Sequence, residues 1–127
     1  MHILRRSGLL LIAALLASAA FAHHSTANFD RDRKTIISGK VTQFSFANPH
    51  SFIKLMVAGT DGKTEEFTVF ATSKVVLLRY GWKPTSVKPG DTIKVVGFPD
   101  KDEPHYLYMK DIVFGDGSEW SRENILE

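Results

Sequence analysis

The order of the elements in this sequence, three strands, one short helix and two further strands, predicts a mainly β protein. The architecture it predicts is a small five-stranded OB-like Greek-key barrel with the helix between strands 3 and 4. About 105 residues remain after an apolar leader, enough for one domain and not for two. None of the 127 residues is a cysteine, so packing alone must hold the domain together. A split sheet with one packed helix fits the same pattern and is the alternative architecture.

The first three strands are predicted from runs of apolar and β-branched residues between turn residues. We expect strand 1 at residues 35–46, with Gly39 as a bulge or a point of close backbone approach. Strand 2 is expected at 51–58 and strand 3 at 65–70. The residues between them, 59–62, read Gly-Thr-Asp-Gly, which is typical of a hairpin turn.

The helix and the last two strands follow. Residues 72–80 begin with capping hydroxyls, continue as an apolar run and end before Gly81, which predicts one short helix. Strand 4 is expected at 92–98, and strand 5 from residue 105 or 106 to 114. We predict a tail after strand 5 that is polar apart from Trp120, Ile125 and Leu126.

The leader predicts export. Arg5 and Arg6 precede an apolar stretch that ends in small residues, so residues 1–22 are predicted to be a signal peptide cut after Ala22. A periplasmic or secreted protein follows. A cut after Ala20 is a chemically acceptable alternative, and an uncleaved N-terminal anchor is a third interpretation.

The chain after the leader divides into an N-terminal arm at 23–34, pinned by Phe29, and a single barrel domain at 35–127. Without the two arginines of the leader, 14 basic residues face 14 acidic ones. A formally neutral domain lacks the clustered Lys and Arg that neutralise phosphates, so we predict no nucleic-acid partner. After processing we expect no stable membrane span. The oligomeric state is not specified by the sequence.

Four histidines follow the leader, and they are the candidate metal ligands: His23, His24, His50 and His105. A cut after Ala22 makes His23 the first residue, whose α-amine and ring bind one metal as a chelate, and a third nitrogen from His50 or His24 completes a site that suits Cu(II). With the other cut, His23 is third in the chain, which favours square-planar Cu(II) or Ni(II). The competing interpretation is that the histidines are solvated polar residues.

Other chemistry has little support. The spacings of a zinc protease site and of an EF-hand are absent. Ser25 and Ser51 each follow a histidine, but a nucleophile needs a base and an orienting acid that converge in space. The sequence therefore predicts a binding protein and not an enzyme.

A second function class remains open. Aromatic and polar residues near the turn after strand 1 and the end of the helix form a predicted rim for a protein or a small amphipathic molecule. The predicted rim consists of Phe46, Asn48, Tyr80 and Trp82. We expect Trp82 also to close the hydrophobic core. In this interpretation the barrel binds a ligand or a periplasmic protein and no metal.

Short motifs spread over nearly the whole chain after the leader resemble those of a known family. They are Ala22-His23-His24-Ser25, Phe29-Asp30, Gly39-Lys40-Val41, Asn48-Pro49-His50, Asp61-Gly62, Leu78-Arg79-Tyr80-Gly81-Trp82, Lys88-Pro89-Gly90-Asp91, Val96-Gly97 and Asp116-Gly117. With these motifs the chain resembles the small exported bacterial proteins of the domain of unknown function family 6152. The resemblance implies export and one compact β-rich domain, and it brings no established activity.

Overall fold

The computed structural model describes residues 26–125. The strands of this part are β1 (Thr35–Ser45), β2 (Phe52–Ala58), β3 (Thr64–Phe70), β4 (Thr92–Pro99), β5 (Tyr106–Val113) and β6 (Glu119–Ser121), and the helix α1 (Lys74–Arg79) lies between β3 and β4. Within this range no helix is long and apolar enough to cross a bilayer. The signal peptide, His23 and His24 lie outside the described residues, so the predictions about them stay predictions.

The strands close into a barrel. β1 pairs antiparallel with β2 and with β4, β2 pairs with β3, and β4 pairs with β5. A short parallel pairing joins residues 68–70 of β3 to residues 106–108 of β5 and completes the ring. We call this pairing the seam. The predicted five-stranded OB-like barrel with its helix between strands 3 and 4 is confirmed.

Alternate residues of the strands fill the barrel. On β2, Ile53 and Leu55 are fully buried, as the period of two requires for side chains that point to one face. The helix contributes Leu77, which is also fully buried. Trp82 is 3% exposed and belongs to the same core, as the sequence predicts.

Gly39 is a point of close approach and not a bulge. A Cβ on Gly39 would overlap the carbonyl oxygen of Met56 on the neighbouring strand. The irregular register between β1 and β2 lies further on, between Val41 and Gln43. Of the two predictions for Gly39, the close backbone approach is confirmed and the bulge is wrong.

The helix is shorter than the sequence predicts. Ser73 is the N-cap, and its hydroxyl oxygen accepts a hydrogen bond from the backbone amide of Val76 at 3.3 Å. Ser73 therefore supplies the predicted capping hydroxyl, and the helix itself begins at Lys74. At the other end Gly81 has a φ of +82°, in the left-handed region, and the helix stops there as expected.

The predicted polar tail contains a sixth strand. β6 pairs antiparallel with the end of β5, and its central residue Trp120 is 9% exposed and part of the core. Trp120 meets Trp82 edge-on, with ring centroids 5.4 Å apart. A strand of three residues is too short to show an alternating pattern, which is why the sequence did not predict it.

Candidate metal-binding end of the barrel

The N-terminal arm is fixed to the barrel by Phe29, as predicted. Its side chain is 5% exposed, and its ring lies 6.0 Å from that of Phe70 and 5.4 Å from that of Tyr108. The backbone of Phe29 forms an antiparallel bridge with Asp100, just after β4. The arm is therefore an ordered part of the domain from this point on.

A second attachment precedes Phe29 along the chain. The side-chain amide of Asn28 donates to Asp100 Oδ1 at 2.7 Å and to Asp102 Oδ2 at 3.2 Å, and the backbone carbonyl of Asn28 accepts from the backbone amide of Lys101 at 3.2 Å. These contacts hold the arm against the connection between β4 and β5. Residues 26–27, the first that the structure describes, directly precede this attachment to the β4–β5 connection.

The direction of the arm follows from these pairings. Asp100 bridges Phe29 on one side, and on the other its amide donates to the carbonyl of Tyr106 at 2.9 Å. The arm and β5 both run antiparallel to the segment at Asp100, so they run parallel to each other, about 10 Å apart. The arm therefore reaches Phe29 from the end of the barrel that carries His105, which precedes Tyr106, through a 3₁₀ turn at Thr26–Asn28 that contacts the β4–β5 connection.

His105 is half-buried at this end, on top of β3. Its Nε2 lies 3.2 Å from Oε2 of Glu65, and its ring meets the ring of Phe67 edge-on, with centroids 4.8 Å apart. A carboxylate on one imidazole nitrogen fixes the ring and leaves the other nitrogen, Nδ1, as the one a metal would use. A histidine that binds a metal through one ring nitrogen usually has a carboxylate or another acceptor on its second nitrogen.

His50 lies at the opposite end of β3. It is exposed in the connection between β1 and β2, two residues before Phe52, which pairs with Phe70. Glu65 and Phe70 are five residues apart on one strand, or about 17 Å. The structure therefore does not bring His50 and His105 together.

No complete metal site exists among residues 26–125, because no three His, Asp or Glu side chains in this range are grouped closely enough to hold an ion. A metal at this end would therefore depend on His23 and His24, with His105 as the ligand supplied by the barrel. Residues Thr26–Asn28 form a 3₁₀ turn, which rises about 2 Å per residue, so the chain from Asn28 to His24 covers at most about 11 Å.

The predicted rim residues lie around α1. Asn48 Oδ1 accepts a hydrogen bond from the amide of Val75 at 3.3 Å, and the ammonium of Lys74 lies 5.8 Å from the ring centre of Phe46. Tyr80 is 38% exposed, whereas Trp82 is buried. A ligand at this surface would reach Phe46 and Tyr80 but not the indole of Trp82.

A cleft of about 430 Å³ lies at the barrel mouth beside the arm. Its walls come from the arm, β1, β3 and the β4–β5 connection, and they consist of Asp30, Arg33, Thr35, Phe67, Pro99, Asp100, Lys101 and Pro104. Sequence reasoning did not find Asn28, Glu65 and Asp102 as neighbours of this end. These residues are far apart in the sequence and meet only through strand register and the Phe29–Asp100 bridge, so no short sequence motif predicts them.

No curated protein matches the chain. Among solved structures, the chain is similar to Rim1, a mitochondrial single-stranded DNA binding protein from S. cerevisiae, with 16% identity and a TM-score of 0.48 over 65% of this chain and 92% of that one. It is also similar to the ZRD-deleted mutant of TiaS in complex with agmatine, with 17% identity and a TM-score of 0.49 over 72% of this chain and 26% of that one. The profile of a family described as "Family of unknown function (DUF6152)" matches residues 11–107.

Proposed function

We propose, from the premise that the chain belongs to the family of unknown function DUF6152, that it is an exported barrel that binds Cu(II) at its N-terminus. The α-amine and ring of His23 form the chelate, and His24 and His105 supply further nitrogens. Export rests on the leader at residues 1–22, which precedes the two histidines directly. The role is binding and not catalysis.

One observation carries the proposal: the arm is docked parallel to β5, so the residues before Phe29 start on the side of His105. Glu65 supports the same assignment, because its carboxylate lies 3.2 Å from Nε2 of His105 and leaves Nδ1 for the metal. The sequence alone left His50 and His24 as equal candidates for the third nitrogen. The register of β3 favours His105 over His50.

The test is a Cu(II) titration of protein that begins at His23, against a competing chelator. His105→Ala should weaken binding clearly, and His50→Ala, the matched control, should leave the affinity unchanged. A residue added before His23 should weaken binding more than either, because the chelate ring is lost. Since imidazole and amine bind only when neutral, protons compete with Cu(II), and the affinity should fall as the pH is lowered.

Two results would contradict the proposal. Equal affinities with and without the added residue exclude the terminal amine as a ligand. A loss of affinity in His50→Ala but not in His105→Ala would move the site to the other end of β3. Intact-mass spectrometry of the exported protein, with and without Cu(II), reports the cleavage point and the stoichiometry in the same measurement.

The alternative function is a metal-free interaction barrel, and one observation favours it. The outer side of α1 exposes apolar side chains, with Val75 48% and Leu78 49% exposed and Tyr80 beside them. Such a surface is a candidate contact for a protein or an amphipathic molecule. Leu78→Ser should then abolish partner binding and leave Cu(II) titrations unchanged.

A further inference from the structure

A second cleft, of about 450 Å³, lies at the end of the barrel away from the arm. It forms where the chain enters β4 and leaves β5, because these two strands pair antiparallel, with Lys94 opposite Val113. Its walls consist of Thr85, Ser86, Lys88, Asp91, Phe114, Gly115, Asp116 and Ser118. The volume is in the range of small-molecule sites.

Two carboxylates in the cleft are held in place by their own loops. Asp91 Oδ2 accepts the amide of Lys88 at 2.9 Å, and Asp116 Oδ1 accepts the amide and the hydroxyl of Ser118 at 2.9 and 2.6 Å. The bonds from Ser118 hold the pKa of the Asp116 carboxyl below its ordinary value, so it is an ionised acceptor at neutral pH. Among the described residues, no donor outside these two loops bonds to either carboxylate.

Donors and one ring complete the cleft. The hydroxyl oxygen of Ser86 accepts the amide of Lys83 at 2.8 Å, which leaves its proton free to donate outward. Lys88 and Thr85 add an ammonium and a second hydroxyl. Phe114 contributes the aromatic wall and is itself supported from behind by Trp82, whose ring centroid is 5.1 Å away.

This set of groups restricts the ligand. Two carboxylates disfavour an anion. The ammonium of Lys88 and the absence of a third acidic or His side chain grouped with them, within residues 26–125, disfavour a divalent cation. A neutral molecule with many hydroxyl groups fits: its hydroxyls donate to the two carboxylates and accept from Ser86 and Lys88, and its C–H face packs on Phe114.

We propose that this cleft binds a monosaccharide or a cyclic polyol of similar size. The carboxylates are preordered acceptors, so binding requires no rearrangement of either loop. The cleft is built entirely from described residues and lies at the opposite end of the barrel from His105. The proposal is therefore independent of metal binding.

The test uses amide NMR spectra of the ¹⁵N-labelled domain, titrated with D-glucose, N-acetylglucosamine and myo-inositol. At least one probe should cause saturable shifts confined to residues 83–91 and 114–118. Asp116→Asn should weaken that binding about ten-fold, the worth of a hydrogen bond to a charged group. Asp61→Asn is the matched control, since Asp61 makes the same kind of bond, to the amide of Lys63 at 3.0 Å, in the β2–β3 turn.

A blocking variant keeps the test independent of the charge change. A Cβ on Gly115 would meet Asp91 and the Thr92 carbonyl oxygen at ordinary contact distances, the nearest 3.6 Å, so Gly115→Leu should fold and fill the cleft. It should abolish the shifts. The proposal is overturned if no probe shifts these residues, if the shifts survive Gly115→Leu, or if Ca²⁺ saturates the same residues and the sugars do not.

Discussion

Gly39 shows how a single residue limits the sequence that this barrel accepts. Gly39→Ala would push a Cβ into the carbonyl oxygen of Met56, and because that atom belongs to the backbone of a paired strand it cannot move aside alone. We expect a loss of about 2 kcal/mol in the free energy of unfolding, typical of overpacking. Urea unfolding followed by tryptophan fluorescence measures it.

Gly115→Ala is the control for this substitution. Its added Cβ would find the nearest atom at 3.6 Å, an ordinary contact, so the free energy of unfolding should change by less than about 0.5 kcal/mol. Equal losses in the two variants would mean that the cost is a general effect of replacing glycine and that the approach to Met56 is not its cause.

At the scale of elements, Lys110 fastens the last segment of the chain to β5. Its ammonium lies 2.8 Å from Glu123 Oε1 and 3.1 Å from Asp111 Oδ2, and its side chain is 14% exposed. The hydrogen bond with Glu123 raises the pKa of Lys110 above its ordinary value of 10.5. A raised pKa in the folded state means that the stabilisation is complete below pH 10.5 and is lost as the pH rises through the folded value.

We therefore expect Lys110→Met to lower the free energy of unfolding by about 1 kcal/mol at neutral pH. The difference from the unsubstituted protein should stay constant up to about pH 10 and shrink above it. Urea unfolding at several pH values measures this. Lys54→Met is the control, because the Lys54–Glu66 pair is exposed and should contribute less than about 0.5 kcal/mol. A difference that persists at high pH would assign the effect to packing of the side chain.

The arm is the second element whose attachment can be tested. Phe29→Ala removes a buried ring that packs on Phe70 and Tyr108, so we expect a loss of about 3 kcal/mol and faster tryptic cleavage at Arg31 and Arg33. Ile36→Ala, at an apolar residue that is 66% exposed, should cost less than about 0.5 kcal/mol. Similar losses in the two variants would show that the arm adds nothing to the stability of the domain.

At the scale of the whole molecule, the fold could be read from the sequence further than the site could. Turn residues and the alternation of apolar and polar residues predicted five strands and the helix, because these signals lie within or next to each element in the sequence. The barrel ends could not be read in the same way. His50 and His105 look alike in sequence, and only the register of β3 with β2 and β5 separates them. β6 was not predicted, because the strand that carries Trp120 into the core has only three residues, too few for an alternating pattern.

The position of the arm over the seam also bears on how the protein folds. The seam joins three residues of β3 to three of β5, and Phe29 lies across its last pair, Phe70 and Tyr108. The folding chain can form the β1–β2–β3 meander early, but Phe29 has no complete binding surface until Tyr108 has joined the barrel. The ring can close only when segments from both ends of the domain are present. A chain truncated before β5 should thus expose the arm to protease, and one truncated after β6 should protect it.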